Sequence, residues 1–184
     1  MRYCHEKTTA MRYPRVVQWT TVFVLFAVIS GADLFAQTPT FTLTPGGSSS
    51  TNVFPLGSTS SKKVQMNYLA GEFPGAYAGM ITTVYIKRGA AQASASTFTN
   101  LTVWLAQVAS SAFPLTTTFH TPMTQVYTAA STVIPAGAID TWFSITLNTP
   151  FAYDPTQALI MTVCQDSYTP SGITIRTYQF TSPP

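Results

Sequence analysis

The sequence predicts an all-β fold: an antiparallel β-sandwich of about eight strands, joined in the jelly-roll or Greek-key manner. Three observations predict it. Short runs alternate between apolar and polar residues along most of the chain, which is the period of a half-buried strand. Turn-forming Gly, Pro, Ser and Asn punctuate these runs at roughly 12–20 residues. Between them, no amphipathic stretch is long enough to make the helical crossover that a parallel sheet needs.

The elements follow in order. TFTLT (40–44) alternates and is predicted as the first strand. PGGSSSTNVFPLGSTSSKK (45–63) is rich in Gly, Ser and Pro and is predicted as a loop. VQMNYL (64–69) is the second strand, and AGEFPGAYAG (70–79) the next loop. MITTVYIKRG (80–89) is a strand with one apolar face through Val84 and Ile86. After the small-residue connection AAQASAS (90–96), FTNLTVWLAQV (98–108) is the fourth strand. SSAFPLTTTFHTP (110–122) is a connection and MTQVYTAA (123–130) a strand, and TVIPAGA is a proline turn. WFSITL (142–147), ALIMTVCQ (158–165) and GITIRTYQF (172–180) complete the set. ALIMTVCQ is apolar at nearly every position, so both of its faces are expected to be covered and it is predicted as a central strand. NTPFAYDPTQ, before it, reads as a turn, and Trp142 is expected in the core.

The N-terminus has a different character. TTVFVLFAVIS (20–30) is a short apolar run behind Arg12 and Arg15, followed by GADLFAQ. A basic start, a short apolar run and a small residue before a polar one describe a secretory signal peptide. The run falls short of the ~20 apolar residues of a membrane span. Cleavage is expected after Ala36, with Ala32 a second candidate, and Met11 offers a more ordinary start than Met1. Residues 1–36 are thus the expected signal peptide. Residues 37–184 are the expected single sandwich domain, of a size that supports a real core. TSPP at the end reads as the beginning of a linker.

Removing the signal changes the charge argument. The chain carries a formal net charge of +3. Residues 37–184 hold Lys62, Lys63, Lys87, Arg88 and Arg176 against Glu72, Asp140, Asp154 and Asp166, a surplus of one cation. Five scattered cations make no stripe along a phosphate backbone, so nucleic acid is excluded as the expected partner. Cys164 is the only cysteine of that part, and burial in its apolar strand is the expectation for it.

Catalytic constellations are poorly supported. A Ser-His-Asp set needs a base within reach of its nucleophile, and the mature part has one histidine, His120, and no G-x-S-x-G. A cysteine inside an apolar strand has its thiolate disfavoured. A glycosidase needs two carboxylates facing one bond, and each of the four acids has a turn or strand-end explanation. One His and one Cys cannot close a zinc site. The expectation is a chain without catalytic residues and without a cofactor. The one metal with any basis is a structural calcium ion, held by Asp154 or Asp166 with loop carbonyls. The sharpest binding idea is sugar. Trp104, Tyr153 and Tyr168 offer flat apolar faces, Asp154 stands beside Tyr153, and hydroxyls and amides abound. Trp104, Tyr153, Asp154 and Tyr168 are therefore the candidate ligand-binding residues.

From residue 64 to 165, the order of signals resembles a family of β-sandwich modules found in large secreted and cell-surface proteins of Bacteroidetes-type bacteria. The residues that carry the resemblance are Gly79, Ile81, Thr82, Trp142, Phe143, Thr149, Pro150, Phe151, Tyr153 and Asp154. It covers roughly two-thirds of the mature part, and its motifs are mostly structural. It implies an adhesin-like module, exported by the type IX route. Cargo of that route usually ends in a C-terminal sorting domain, and none is read after Phe180, so the expectation is that either the sequence is a fragment of a longer protein or the route does not apply. The functional expectation is a secreted, non-enzymatic module with a structural or adhesive role at the cell surface or outside the cell. Its expected partners are an extracellular polysaccharide or a surface protein, with no membrane span after cleavage. The alternative is a carbohydrate-binding module attached to an exported enzyme.

Overall fold

A computed structural model describes residues 39–43, 48–58, 62–109 and 118–179. The expected signal peptide, both candidate cleavage sites, Met11 and the terminal TSPP lie outside the described residues. The described residues form nine strands: β1 (Ser48–Asn52), β2 (Lys62–Tyr68), β3 (Gly79–Lys87), β4 (Ser96–Ala109), β5 (Thr124–Ile134), β6 (Trp142–Tyr153), β7 (Gln157–Gln165), β8 (Ser167–Thr169) and β9 (Ile175–Gln179). Every pairing is antiparallel. No helix among the described residues is long and apolar enough to cross a membrane.

The larger sheet has the order β2-β7-β4-β5, with β8 also on β4. Two further ladders, β1-β9 and β3-β6, are joined by a bridge between Arg88 and Ile175. That gives a second layer in the order β1-β9-β3-β6. The pairs are nested: β4 with β5, β3 with β6, β2 with β7, β1 with β9. A long hairpin rolled upon itself produces this order, which is that of a jelly roll.

β8 continues β7 along β4. Thr102 lies opposite Cys164 and Thr99 opposite Ser167, in one unbroken register. The interruption between them has a local cause. Asn100 takes a left-handed backbone at φ 52, a conformation that Asn tolerates better than most residues. Its Nδ2 donates to Asp166 Oδ2 at 2.8 Å, and the Asp166 amide donates to the Thr99 carbonyl. Counted this way, the sandwich has eight strand lines, as the sequence predicts.

The core fills from both layers. Leu101, Val103 and Leu105 of β4, with Leu159, Met161 and Val163 of β7, meet Ile86 of β3 and Phe143, Ile145 and Leu147 of β6. Each such side chain contributes roughly 1.5–3 kcal/mol on burial. β7 is central, between β2 and β4, and all of it after Gln157 is buried.

Four expectations are corrected. Residues 40–43 form no strand; Phe41 instead sets its ring edge-on to Tyr77, with centroids 5.4 Å apart. The first strand is β1, within the stretch expected to be a loop, because β9 offers it a partner. Strand propensity of a few residues is weak against such tertiary pairing. NTPFAYDPTQ is not all turn: β6 runs through to Tyr153, accommodating Pro150 by a register break opposite Ile81–Thr83. Trp142 opens β6 but stays outside the core, since the inward alternation falls on Phe143, Ile145 and Leu147.

Candidate functional site

The outer face of the larger sheet carries the most elaborate arrangement of side chains. Strand alternation sends Lys63 and Gln65 of β2, Thr162 of β7 and Trp104 of β4 to this face, away from the core. Register places Gln65, Thr162 and Trp104 in one row across the three strands. Segment 118–123 lies over them, held by Gln65. The Gln65 carbonyl oxygen accepts the His120 amide at 3.0 Å, and its Nε2 donates to Thr162 Oγ1 at 3.0 Å and to Met123 Sδ at 3.4 Å. The Thr162 hydroxyl also donates to Met123 Sδ at 3.2 Å. Beside this pin, Lys63 Nζ lies 5.3 Å from the Trp104 ring centre and 5.1 Å from that of Phe119. Both contacts are within cation–π range. Phe119 remains 49% exposed.

An open groove of about 370 Å³ adjoins this face, lined by Ala106, Gln107, Pro122, Met123, Thr124 and Phe151. Its lining is mixed polar and apolar, with no charged side chain. Gln107 is engaged elsewhere: its side chain donates to the Asp154 carbonyl at 2.7 Å and accepts the Asp154 amide at 2.9 Å. The end of β4 is thereby tied to the turn between β6 and β7.

Among the predicted binding residues, Tyr153 and Asp154 are chain neighbours, while Trp104 and Tyr168 stand apart from them. Asp154 closes its own turn. Oδ1 accepts the Thr156 amide at 2.9 Å and hydroxyl at 2.7 Å, and Oδ2 accepts Gln157 Nε2 at 3.2 Å. Hydrogen bonds from Thr156 hold its carboxyl below the ordinary value. Tyr153 packs against the core from the end of β6, opposite Gly79. Burial, and then the Asp154 charge, push its phenol up. Tyr168 sits at the other end of β4, with its ring 6.0 Å from Phe98. Its hydroxyl donates to the Gly57 carbonyl at 3.1 Å. There the chain passes close to itself, since a Cβ on Gly172 would stand 2.4 Å from the Gly57 Cα. Of the four, Trp104 lies on the outer face, where Lys63 approaches both its ring and that of Phe119 and its row continues through Thr162 to Gln65. Lys63, Gln65 and Phe119 were missed in the sequence. No motif marks them, because they meet through strand register and a loop.

Among the described residues Arg88 is the largest fully buried side chain, at 1% exposure. Its guanidinium lies 4.9 Å above the Phe143 ring, and Nη2 donates to the Pro135 carbonyl at 2.6 Å. Nε and Nη1 have no hydrogen-bond partner. Gly137 fits against it because a Cβ there would come within 2.6 Å of Nε. Burial lowers the pKa of this group.

The remaining charges are engaged in local contacts. Lys62 lies over Phe54 and Lys87 over Trp142. Arg176 makes a two-pronged pair with Asp140, at 2.8 and 3.1 Å, and Lys87 approaches Asp140 at 3.7 Å. Glu72 accepts the Leu69 amide at 3.0 Å. Burial raises the Glu72 carboxyl, and that of Asp140 is lowered, chiefly by Arg176. Cys164 is fully buried, as expected. Among the described residues no three His, Cys, Asp or Glu side chains converge on a point where a metal ion would sit. Asp154 and Asp166, weighed as calcium ligands, are each held by side-chain hydrogen bonds to neighbours.

No family model, curated protein or solved structure matches this chain.

Proposed function

We propose that this chain is a non-enzymatic jelly-roll module, secreted or displayed at the cell surface, with a structural or adhesive role. One observation carries the reading: every charged side chain of the folded part is engaged in a local structural contact. The four acids close turns, join strands or pair with cations. Four of the five cations lie over aromatic rings, and the fifth pairs with Asp140. Acid–base catalysis needs a titratable group free to face substrate, and this arrangement favours a scaffold instead. The resemblance to exported Bacteroidetes-type modules agrees with that role, as does the secretory signal read at residues 1–36.

The test is to express the full chain in a bacterium with an export route and to treat intact cells with protease. Display or release supports the reading, whereas protein that stays inside and intact overturns it.

The alternative, a carbohydrate-binding module, is favoured by one feature, the outer-face cluster of Trp104, Lys63 and Phe119 beside an uncharged groove. Affinity electrophoresis through a panel of neutral polysaccharides separates the two. Retardation that Trp104→Ala and Phe119→Ala abolish supports binding. Unretarded migration on every polysaccharide leaves the structural role.

A further inference from the structure

The described cations differ in what balances their charge. Lys87 and Arg176 share Asp140, and Arg88 is buried over Phe143. Lys62 and Lys63, which open β2, have no carboxylate partner among the described residues. Asp166 follows the β7 residue opposite Lys62, but its carboxylate accepts from Asn100 instead. Lys63 is exposed and Lys62 half-buried. Their contacts are with rings: Lys62 Nζ lies 5.5 Å from the centre of Phe54, and Lys63 Nζ approaches both Trp104 and Phe119. A ring attracts an ammonium but leaves its charge uncancelled. The start of β2 is therefore a place of positive charge set among aromatic faces, of which Phe54 and Phe119 are exposed.

These faces are in place before any ligand arrives. Trp104 stands on the sheet itself. Phe119 stands on segment 118–123, which Gln65 pins by accepting the His120 amide at 3.0 Å. Side chains already held in position lose little freedom on binding. An aromatic face beside an uncancelled ammonium suits a molecule with two features, a flat apolar face and a negative charge. A sugar ring that carries a carboxylate has both. Its C–H face lies against an aromatic ring, and its carboxylate accepts from the ammonium in a charge-assisted hydrogen bond.

The structure assigns this surface to an acidic polysaccharide, one built from uronate rings. The assignment rests on the carbohydrate-binding alternative and adds to it the charge of the ligand. Lys63, with Trp104 and Phe119, takes one ring and its carboxylate. Lys62, with Phe54, supplies a second cation and a second ring at the same end of β2, an edge strand paired with β7 alone. An anionic membrane is the poorer fit, because binding to a lipid surface takes clusters of about 4–8 cations, and this place has Lys62 and Lys63 only. An acidic peptide brings the charge without a sugar face to stack.

The test is retention of the full chain on beads carrying polygalacturonate, a panel of neutral polysaccharides, polyglutamate, or vesicles of phosphatidylcholine with phosphatidylserine. Retention is expected to be strongest on polygalacturonate. Lys63→Gln and Phe119→Ala are each expected to weaken it about fivefold, the worth of an exposed ion pair or a ring contact. Lys87→Gln removes the same charge from the other sheet and is expected to leave it unchanged. Should Phe119→Ala fail to fold, Lys63→Gln against Lys87→Gln decides. Retention on neutral polysaccharides that equals or exceeds that on polygalacturonate overturns the acidic assignment and leaves the carbohydrate-binding reading standing. Retention on no polysaccharide overturns both. Equal retention on polyglutamate or on the vesicles, or an equal loss in Lys87→Gln, means attraction by charge alone and also overturns the assignment.

Discussion

β7 and β5 flank the same strand, β4, and face opposite environments. β7 is covered on both faces: Leu159, Met161 and Val163 pack into the sandwich, while Ala158, Ile160, Thr162 and Cys164 are buried on the other side. β5 buries only Val126 and Ile134 fully. Segment 118–123 supplies part of the difference by folding back over β7. The comparison teaches that the outer face of this sheet is a second interior near β7 and an open surface at β5.

The largest expected effect separates the two strands directly. Ile160→Ala removes a fully buried side chain outside the main core and is expected to cost about 2–5 kcal/mol. Val133→Ala is expected to stay within about 0.5 kcal/mol. Urea unfolding of both variants measures this, and similar costs would break the comparison.

A smaller effect tests the cover. Gln65→Ala removes the side chain that accepts the His120 amide and bonds Thr162 and Met123, and is expected to cost about 1–3 kcal/mol. The expected signature is faster hydrogen exchange at the His120 amide, with the β5 amides that face β4 unchanged. Equal acceleration in both places would show that the segment is not a separate cover.

The smallest effects are in pH dependence, and they differ in sign. Tyr68 pairs with Leu159 of β7, and burial, then Glu72, push its phenol up to about 12. The folded state holds that proton more tightly than the unfolded chain. The contribution is therefore complete below about pH 10 and lost as the pH rises toward 12. Tyr68→Phe is expected to flatten the alkaline fall in melting temperature. Asp140 lies in the loop after β5, with its carboxyl lowered mainly by the Arg176 hydrogen bond. Its contribution is present above the ordinary carboxyl value near 4 and is lost as the pH falls through the lowered folded value. Asp140→Asn is expected to flatten the acid limb slightly; an unchanged acid limb would mean that this exposed pair contributes nothing measurable.

The sequence makes the fold class and the central place of β7 legible, because burial on two faces requires a continuous apolar run such as ALIMTVCQ. It also makes legible the apolar face of β3 at Val84 and Ile86. β1 and β8 were illegible, since SSSTN and SYT become strands only through β9 and β4. The outer-face cluster was legible in Trp104 alone. Register brings Lys63 and Gln65 to that side of the sheet, and the segment that Gln65 pins brings Phe119. Tyr153, Asp154 and Tyr168 are aromatic or acidic residues near turns, a signature shared by ligand contacts and by turn closure; here Asp154 closes a turn and Tyr168 clamps one.

The nested pairing also sets an order of events in time. Leu105 and Thr124, at the mouth of the β4–β5 hairpin, are separated by one loop, whereas Asn52 and Ile175 are separated by most of the folded chain. Closing a longer loop costs more entropy, so the innermost hairpin is the natural first event. Each completed pair then shortens the effective loop for the next one outward. On a ribosome, β1 emerges first and acquires its partner last. Until β9 is made, its row of amides and carbonyls has only water to bind. This topology therefore makes for slow folding, and the time of greatest exposure falls before synthesis of the last strand is complete.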